Sequence, residues 1–250
     1  MKIGIADYGL RMWFGGGEEF DLEFTLAGLK ELGYEGIERC RATDAADLVR
    51  AAGIFRRLQM DFATVTGPEP ENSINWTAIT GRQYVWTMGK PRDFDGCCRM
   101  ANYQAKLTAK WGIKTALHNH LGTPIESQNE LERFLEFCPD VGLILDTAHL
   151  AAAEGDPLEV IKNYPDRLTA IHIKDWLVVD ESISIKESWP KRGRFCALGE
   201  GNVDLDNGAV VRALLEVGYD GWIFVEQDTH LQDPMIDLDA NRRYLNNAGI

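Results

Sequence analysis

Short apolar segments recur along this 250-residue chain at a nearly regular spacing, separated mostly by stretches with helical periodicity. Eight of them are typical of buried strands, near residues 2–6, 36–39, 61–65, 83–87, 114–119, 141–146, 169–174 and 222–226. Helical stretches lie near residues 21–32, 44–58, 94–111, 127–137, 157–163, 206–217 and 236–247. A strand with its helix takes about 30 residues, and eight such units make a barrel of about 250 residues. The spacing therefore predicts an α/β fold, a single (β/α)8 TIM barrel over residues 1–250.

Three segments depart from this repeat. Residues 66–82 contain Gly67, Pro68, Pro70 and Gly81, which argue against a full helix and predict an irregular connection between strands 3 and 4. Residues 176–205 and residues 8–19 are predicted to form loops at the barrel mouth, where barrel active sites are built. A doubly wound sheet is the alternative, but no G-x-G-x-x-G follows the first strand, which favours the barrel.

Charge and cysteine content restrict the partners. The chain has 39 acidic and 26 basic side chains, a net charge of −13. A surface with this much negative charge repels phosphate backbones and anionic lipid. We therefore expect neither nucleic acid nor a membrane as a partner. The five cysteines form no C-x-x-C pair, and no long apolar run or secretory signal is present. We therefore expect a reduced, cytoplasmic protein that acts on a small molecule, and a homo-oligomer is possible.

Polar side chains end four successive predicted strands in the second half of the chain. They are His118, Asp146, His172 and Glu226. Because side chains alternate along a strand, these four can point toward the same end of the barrel. Two imidazoles and two carboxylates form a ligand set that suits Mn²⁺, Co²⁺, Fe²⁺ or Zn²⁺ better than Mg²⁺. Each residue alone also has a structural interpretation; Asp146, for example, could simply be a helix N-cap.

These segments carry a family resemblance. The motifs are His118-x-His120-Leu121-Gly122-Thr123, Asp146-Thr147-Ala148-His149-Leu150, His172-Ile173-Lys174-Asp175 and Gly199-Glu200-Gly201-x-Val203-Asp204. With them, the chain resembles the xylose-isomerase-like barrel superfamily of sugar isomerases, epimerases and lyases. Residues 115–235 most resemble inosose (2-keto-myo-inositol) dehydratase, which has histidine where the epimerases and isomerases usually have glutamate, at position 118 here.

The resemblance implies a metal-dependent reaction, most consistent with Mn²⁺. A divalent ion would polarise a substrate carbonyl and stabilise an enediolate after loss of the neighbouring proton. Glu226 is the expected base, and His120, His149 and Lys174 are expected proton donors or hydroxyl anchors. Lys174 could instead pair with Asp175 or Glu200. Candidate substrate-binding residues are Trp13, Trp176 and Glu200.

The expected function is a dehydratase-type lyase that acts on a keto-polyol or keto-sugar. The same site would also suit a sugar isomerase or epimerase, or a lyase or hydrolase of 3-keto-glycosides. Two other classes are a DNA-repair endonuclease, which needs more metal ligands and basic loops, and a barrel that has lost its metal and only binds. Five histidines and a charge of −13 argue against the endonuclease.

Overall fold

The computed structural model of the chain describes residues 1–8, 10 and 20–250. Within these residues, eight parallel strands form one sheet: β1 (Lys2–Ile5), β2 (Gly36–Arg41), β3 (Asp61–Thr66), β4 (Tyr84–Trp86), β5 (Lys114–His118), β6 (Gly142–Asp146), β7 (Leu168–Ile173) and β10 (Trp222–Val225). Their order, β3-β2-β1-β10-β7-β6-β5-β4, curls the sheet into a nearly closed barrel. Two further strands, β8 (Asp175–Val178) and β9 (Gly193–Cys196), form a separate antiparallel hairpin. The predicted TIM barrel is confirmed.

Ten α-helices and one short 3-10 helix, Pro165–Arg167, are present among the described residues. The α-helices are α1 (Leu22–Glu31), α2 (Ala45–Leu58), α3 (Pro70–Ile79), α4 (Phe94–Ala109), α5 (Gln128–Phe137), α6 (Thr147–Ala152), α7 (Pro157–Asn163), α8 (Ile185–Arg192), α9 (Asn207–Glu216) and α10 (Pro234–Asn247). Acidic or hydroxyl side chains mark many of their starts: Asp44 and Asp93 accept from backbone N–H groups of the first turn, and Ser127 forms a capping box with Glu130. Such a cap contributes about 0.5–2 kcal/mol. None of these helices is long and apolar enough to cross a membrane.

The connection between β3 and β4 is irregular, as predicted, but it contains a helix that the sequence argued against. Residues 70–79 form helix α3, although the Gly and Pro content argued against a full helix. Gly67 and Pro68 precede the helix, Pro70 is its first residue, and Gly81 follows it with φ of 72°. Proline is well accommodated at the first helical position, where its missing N–H would have no helical partner. The irregularity lies in the sheet instead, because β3 and β4 exchange no ladder hydrogen bonds among the described residues.

Side chains of helix α3 accept hydrogen bonds from backbone N–H groups at the unpaired edge of β3, which we call the seam between β3 and β4. The backbone N–H of Val65 donates to Thr77 Oγ1 at 3.0 Å, and that of Gly67 donates to Ser73 Oγ at 3.0 Å. Unpaired backbone groups are costly when buried, so these two hydroxyls replace bonds that a neighbouring strand would make. At the start of the same strand, Arg82 Nη1 lies 2.7 Å from Asp61 Oδ1 and links the segment before β4 to β3.

The predicted loop over residues 176–205 contains regular structure. Strands β8 and β9 pair from Asp175 with Cys196 to Val178 with Gly193, and α8 connects them. The fold thus places a two-stranded hairpin directly after β7, at the end of the barrel where parallel strands terminate. The other predicted loop, residues 8–19, falls largely on position 9 and residues 11–19, which lie outside the described residues.

Candidate metal centre

The barrel interior contains a layer of mostly small side chains with two large aromatic rings among them. Its buried members are Ala6, Ala63, Tyr84, Ala116, Ile144, Ala170 and Phe224. Residues two positions further along a strand point in the same direction, so the next layer toward the carboxyl ends is fixed by the sequence. On β5, β6, β7 and just beyond β10 that layer consists of His118, Asp146, His172 and Glu226.

The structure brings these four predicted ligands together. Each offers one nitrogen or carboxylate oxygen, and the four atoms all lie within 4.8 Å of one another. Asp146, His172 and Glu226 are buried, and His118 is nearly so. The register explains the grouping, since Asp146 pairs with His172 across β6 and β7, and Phe224 pairs with His172 across β10 and β7. The spacing of the four atoms fits coordination of a single divalent cation.

Two of these four atoms are buried polar atoms that lack a hydrogen-bond partner among the described residues. His118 Nε2 and Asp146 Oδ2 are buried 3.4 Å apart, and neither has a hydrogen-bond partner among the described residues. Burying such atoms unpaired is costly, and a cation between them would remove that cost. The other oxygen, Asp146 Oδ1, accepts from the backbone N–H of His149 at 2.8 Å and caps α6. Asp146 is therefore an N-cap through one oxygen and a candidate ligand through the other.

Lys174 balances the negative charge of the site. Its Nζ lies 2.7 Å from Asp228 Oδ2, 3.4 Å from Glu226 Oε1 and 3.8 Å from Asp146 Oδ2. Burial would lower the pKa of Lys174, but these carboxylates outweigh it and raise the pKa above its ordinary value. Lys174 is thus a buried cation at neutral pH. Its partners are not Asp175 or Glu200, the ion pairs considered from the sequence.

The carboxylate of Glu226 stays ionised in this surrounding. Burial would raise its pKa, but Lys174 and His172 outweigh it and hold the pKa of Glu226 well below its usual range. His172 Nδ1 lies 2.5 Å from Glu226 Oε2. For His172, burial acts to lower the pKa, whereas Glu38 and Glu226 raise it to about 10. Without a cation the site therefore holds an imidazolium between two carboxylates.

His149 and His120 form a second pair beside the cluster, with ring centroids 3.7 Å apart. His149 is buried, which lowers its pKa well below the ordinary value, and Lys174 adds to that effect although Asp146 opposes it. His149 is consequently neutral at pH 7. Its Nδ1 lies 3.3 Å from the backbone N of Leu121, and its Nε2 lies 3.5 Å from Lys174 Nζ, so both ring nitrogens face donors.

Glu38 is a site residue that the sequence reasoning missed. It lies on β2, its side chain is fully buried, and His172 Nε2 lies 3.1 Å from its Oε2. The signal was available: a charged residue stands two positions after Gly36 in a strand that is otherwise apolar on that face. All five histidines lie in the second half of the chain, and the predicted ligands all came from the strands of that half.

Of the three predicted substrate-binding residues, the two that the structure describes, Trp176 and Glu200, are not in the cluster. Trp176 is fully buried one layer further out, with its ring 4.9 Å from Phe195 and 6.1 Å from Trp189. Phe195 itself lies 4.9 Å from His149 and 3.8 Å below Lys174 Nζ. Glu200 is exposed on the loop after β9. Trp13 lies outside the described residues, and a substrate role for these three residues stays a prediction.

Comparison with known proteins agrees with the barrel fold. A profile of the xylose isomerase-like TIM barrel family matches residues 37–247. The chain belongs to this family. An inosose dehydratase of Lactiplantibacillus plantarum is 31% identical over 164 residues, 62% of this chain and 54% of that protein. One of Yersinia enterocolitica is 35% identical over 161 residues, 60% of this chain and 53% of that protein. The chain thus spans about half the length of the curated relatives it matches.

Solved structures show the same fold at low identity. A probable 3-DHS dehydratase of Bacillus anthracis superimposes with a TM-score of 0.75 at 15% identity, over 99% of both chains. An L-ribulose 3-epimerase superimposes with a TM-score of 0.74 at 18% identity, over 99% of this chain and 94% of the other. A xylose isomerase-like barrel protein of Mycobacterium smegmatis in complex with magnesium superimposes with a TM-score of 0.70 at 15% identity, over 99% of this chain and 95% of the other. These likenesses establish the fold alone.

Proposed function

We propose that this protein is a divalent-metal-dependent lyase of the dehydratase type that acts on a keto-polyol or keto-sugar. The observation that carries the proposal is the carboxylate of Glu226, a candidate ligand that Lys174 holds ionised. Of the other buried carboxylates, Asp146 caps α6 through one oxygen, and Glu38 has both oxygens occupied by protein groups and is not available to a substrate. The relatives named inosose dehydratase support the same reaction type.

The side chains have separable tasks in this reaction. His118, Asp146, His172 and Glu226 would hold the cation, with Mn²⁺ the first choice. When bound, the cation supplies Lewis-acid polarisation of the substrate carbonyl. Glu226, with one oxygen 2.5 Å from His172 and the other facing Lys174, would remove the proton next to the carbonyl. The departing hydroxide would take its proton from the group of donors beside the cluster, which comprises the Lys174 ammonium, His149 and His120.

A sugar isomerase or epimerase is the second candidate. Such a reaction uses a second acid or base on the opposite face of the reacting carbon. Asp228 favours it, because its Oδ2 pairs with Lys174 while its Oδ1 is buried with no hydrogen-bond partner among the described residues. The cytoplasmic location, the single-domain organisation and a homo-oligomeric state stay predictions.

Metal binding is tested first. Protein purified without chelator and dialysed against Mn²⁺ should bind one ion per chain, and Asp146→Ala and His172→Ala should remove it while the barrel stays folded. Asp140→Ala is the matched control, because Asp140 is exposed just before the start of β6, at the opposite end of the strand from Asp146. Retention of stoichiometric Mn²⁺ by both site variants would place the metal elsewhere.

The reaction type is tested with Mn²⁺-loaded protein and 2-keto-myo-inositol, common ketoses and 3-keto-glucosides, by product NMR and dione absorbance. A dehydrated product supports the lyase, whereas clean ketose interconversion without it would reject the lyase in favour of the isomerase. Glu226→Gln keeps one possible ligand oxygen and removes the basicity. We expect it to bind metal and to lose about 10²–10⁴ in rate, with solvent-deuterium exchange next to the carbonyl falling in parallel. Exchange at the wild-type rate would show that another group removes the proton.

A further inference from the structure

Glu38 has a complete set of partners inside the barrel. Its Oε1 accepts from Tyr84 Oη at 2.9 Å and from Trp86 Nε1 at 2.8 Å, and its Oε2 lies 3.1 Å from His172 Nε2. A carboxylate is costly to bury unless such donors surround it. With both oxygens bonded and the side chain fully buried, Glu38 does not reach a substrate in the barrel mouth. Its connection to the candidate metal centre runs through His172.

The two ring nitrogens of His172 face different groups. Nε2 faces Glu38, and Nδ1 lies 2.5 Å from Glu226 Oε2, inside the four-residue cluster. A neutral imidazole has one N–H donor and one lone-pair nitrogen, and the hydrogen bond at one nitrogen decides which is which. Both nitrogens face carboxylates, so without a cation the ring carries two protons. With a cation at the Nδ1 side, the Glu38 carboxylate, which can only accept, would keep the remaining proton on Nε2.

We propose that Glu38 is a positioning residue that holds His172 as the Nε2–H tautomer and thereby presents the Nδ1 lone pair to the divalent cation. This inference rests on the metal site of the proposed function. Metal-bound histidines commonly donate their second N–H to a carboxylate, which fixes the ring and raises its basicity as a ligand. His118 has no such partner among the described residues: its Nε2 faces Asp146, and its ring lies 4.8 Å from Trp86.

Glu38→Gln tests the tautomer directly, because the hydrogen-bond donors around the side chain fix the orientation of the new amide group. Trp86 Nε1 can only donate, so the glutamine oxygen must take the place of Oε1. The glutamine NH₂ group then takes the place of Oε2 and donates to His172 Nε2. That hydrogen bond moves the ring proton to Nδ1, the nitrogen that faces the cluster. The substitution therefore keeps the shape and the number of hydrogen bonds while it reverses the tautomer.

We expect Glu38→Gln to weaken Mn²⁺ binding by about 10- to 100-fold, measured by competition with a fluorescent chelator. Tyr84→Phe is the matched control, since it removes one bond to Glu38 and leaves the Glu38–His172 bond in place; its affinity should stay close to wild type. Circular dichroism and the urea midpoint verify that both variants fold. Equal affinity of wild type and a folded Glu38→Gln protein overturns the inference and leaves the proposed metal site intact. Absence of metal binding by the wild type overturns the proposed function itself.

A second measurement does not depend on a variant that folds. In wild-type protein labelled with ¹⁵N-histidine and loaded with Zn²⁺, the His172 ring should show a protonated Nε2 and a metal-shifted Nδ1, with the signals assigned from a His172→Asn sample. A His172 ring that binds zinc through Nε2 would overturn the inference. An unaltered Zn²⁺-loaded spectrum in Glu38→Gln would do so as well.

Discussion

Lys174→Met removes a buried cation that faces three carboxylates, and in the metal-free site it leaves the His172 imidazolium beside Glu226 but no cation beside Asp228. The side chain of Lys174 is 1% exposed, and its Nζ lies within 3.8 Å of carboxylate oxygens of Asp228, Glu226 and Asp146. Removal of one partner from a buried ion pair costs about 3–5 kcal/mol, because the remaining charge has neither water nor a counterion. Methionine is similar in length and fills the space against Phe195, so the charge is the main change. We expect the metal-free variant to lose about 3–5 kcal/mol of unfolding free energy in urea.

Lys2→Met is the matched control. Lys2 Nζ makes a contact of almost the same length, 2.8 Å to Asp61 Oδ2, but its side chain is 50% exposed. Exposed pairs contribute only about 0–1 kcal/mol, so this variant should stay close to wild type. A divalent cation should then stabilise Lys174→Met more than wild type, since it restores positive charge to a more negative site and ligand binding to the folded state adds stability. Equal losses in the two metal-free variants would refute the electrostatic account of the site.

Two further predictions concern stability away from the metal centre. Thr77→Val leaves the backbone N–H of Val65 without its 3.0 Å acceptor at the β3–β4 seam, so we expect a loss of about 1–3 kcal/mol in urea unfolding. Thr80→Val, whose hydroxyl bonds only carbonyls of its own helix, should cost less, and equal costs would show that the seam bond is unimportant. Burial acts to raise the pKa of Asp61. Hydrogen bonds from Lys2 and from the backbone N–H of Phe62 outweigh burial and lower this pKa. Because the folded-state pKa is the lower one, this stabilisation is complete above the unfolded value of about 3.9 and is lost as the pH falls below it. The stability difference between wild type and Asp61→Asn should therefore narrow from about pH 5 to pH 3, and a pH-independent difference would contradict it.

The barrel could be predicted because its signals are local. Each strand is a short apolar run, and the interval between runs fits one crossover helix. The inward direction of His118 and Asp146 follows from strand alternation alone, so their meeting needs only the barrel and no knowledge of loops. The helix that the prediction missed within residues 66–82 also has a local cause. Gly and Pro oppose a helix only in its interior, and here Pro70 and Gly81 stand at its ends.

The contacts across the barrel could not be predicted in the same way. Lys174 was matched with Asp175 or Glu200 because they are close in sequence or motif, yet adjacent residues on a strand point to opposite sides. Its actual partner at 2.7 Å, Asp228, lies beyond the end of the neighbouring strand β10.

Glu38 presents the same problem at greater range, because 134 residues separate it from His172. Its contact depends on the closure of the barrel, which sets β2 and β7 on either side of β1 and β10. Strand order is not encoded in the periodicity of any one segment. What the sequence does encode is the inward direction of each polar residue, position by position. Five strands carry such a residue or an aromatic ring in the layer above the interior cluster, and Glu226 follows a sixth. Trp86 on β4 belongs to this layer, 5.5 Å from His172. The inward positions of all eight strands, taken together rather than only those with histidine, would have placed Glu38 at the candidate metal centre.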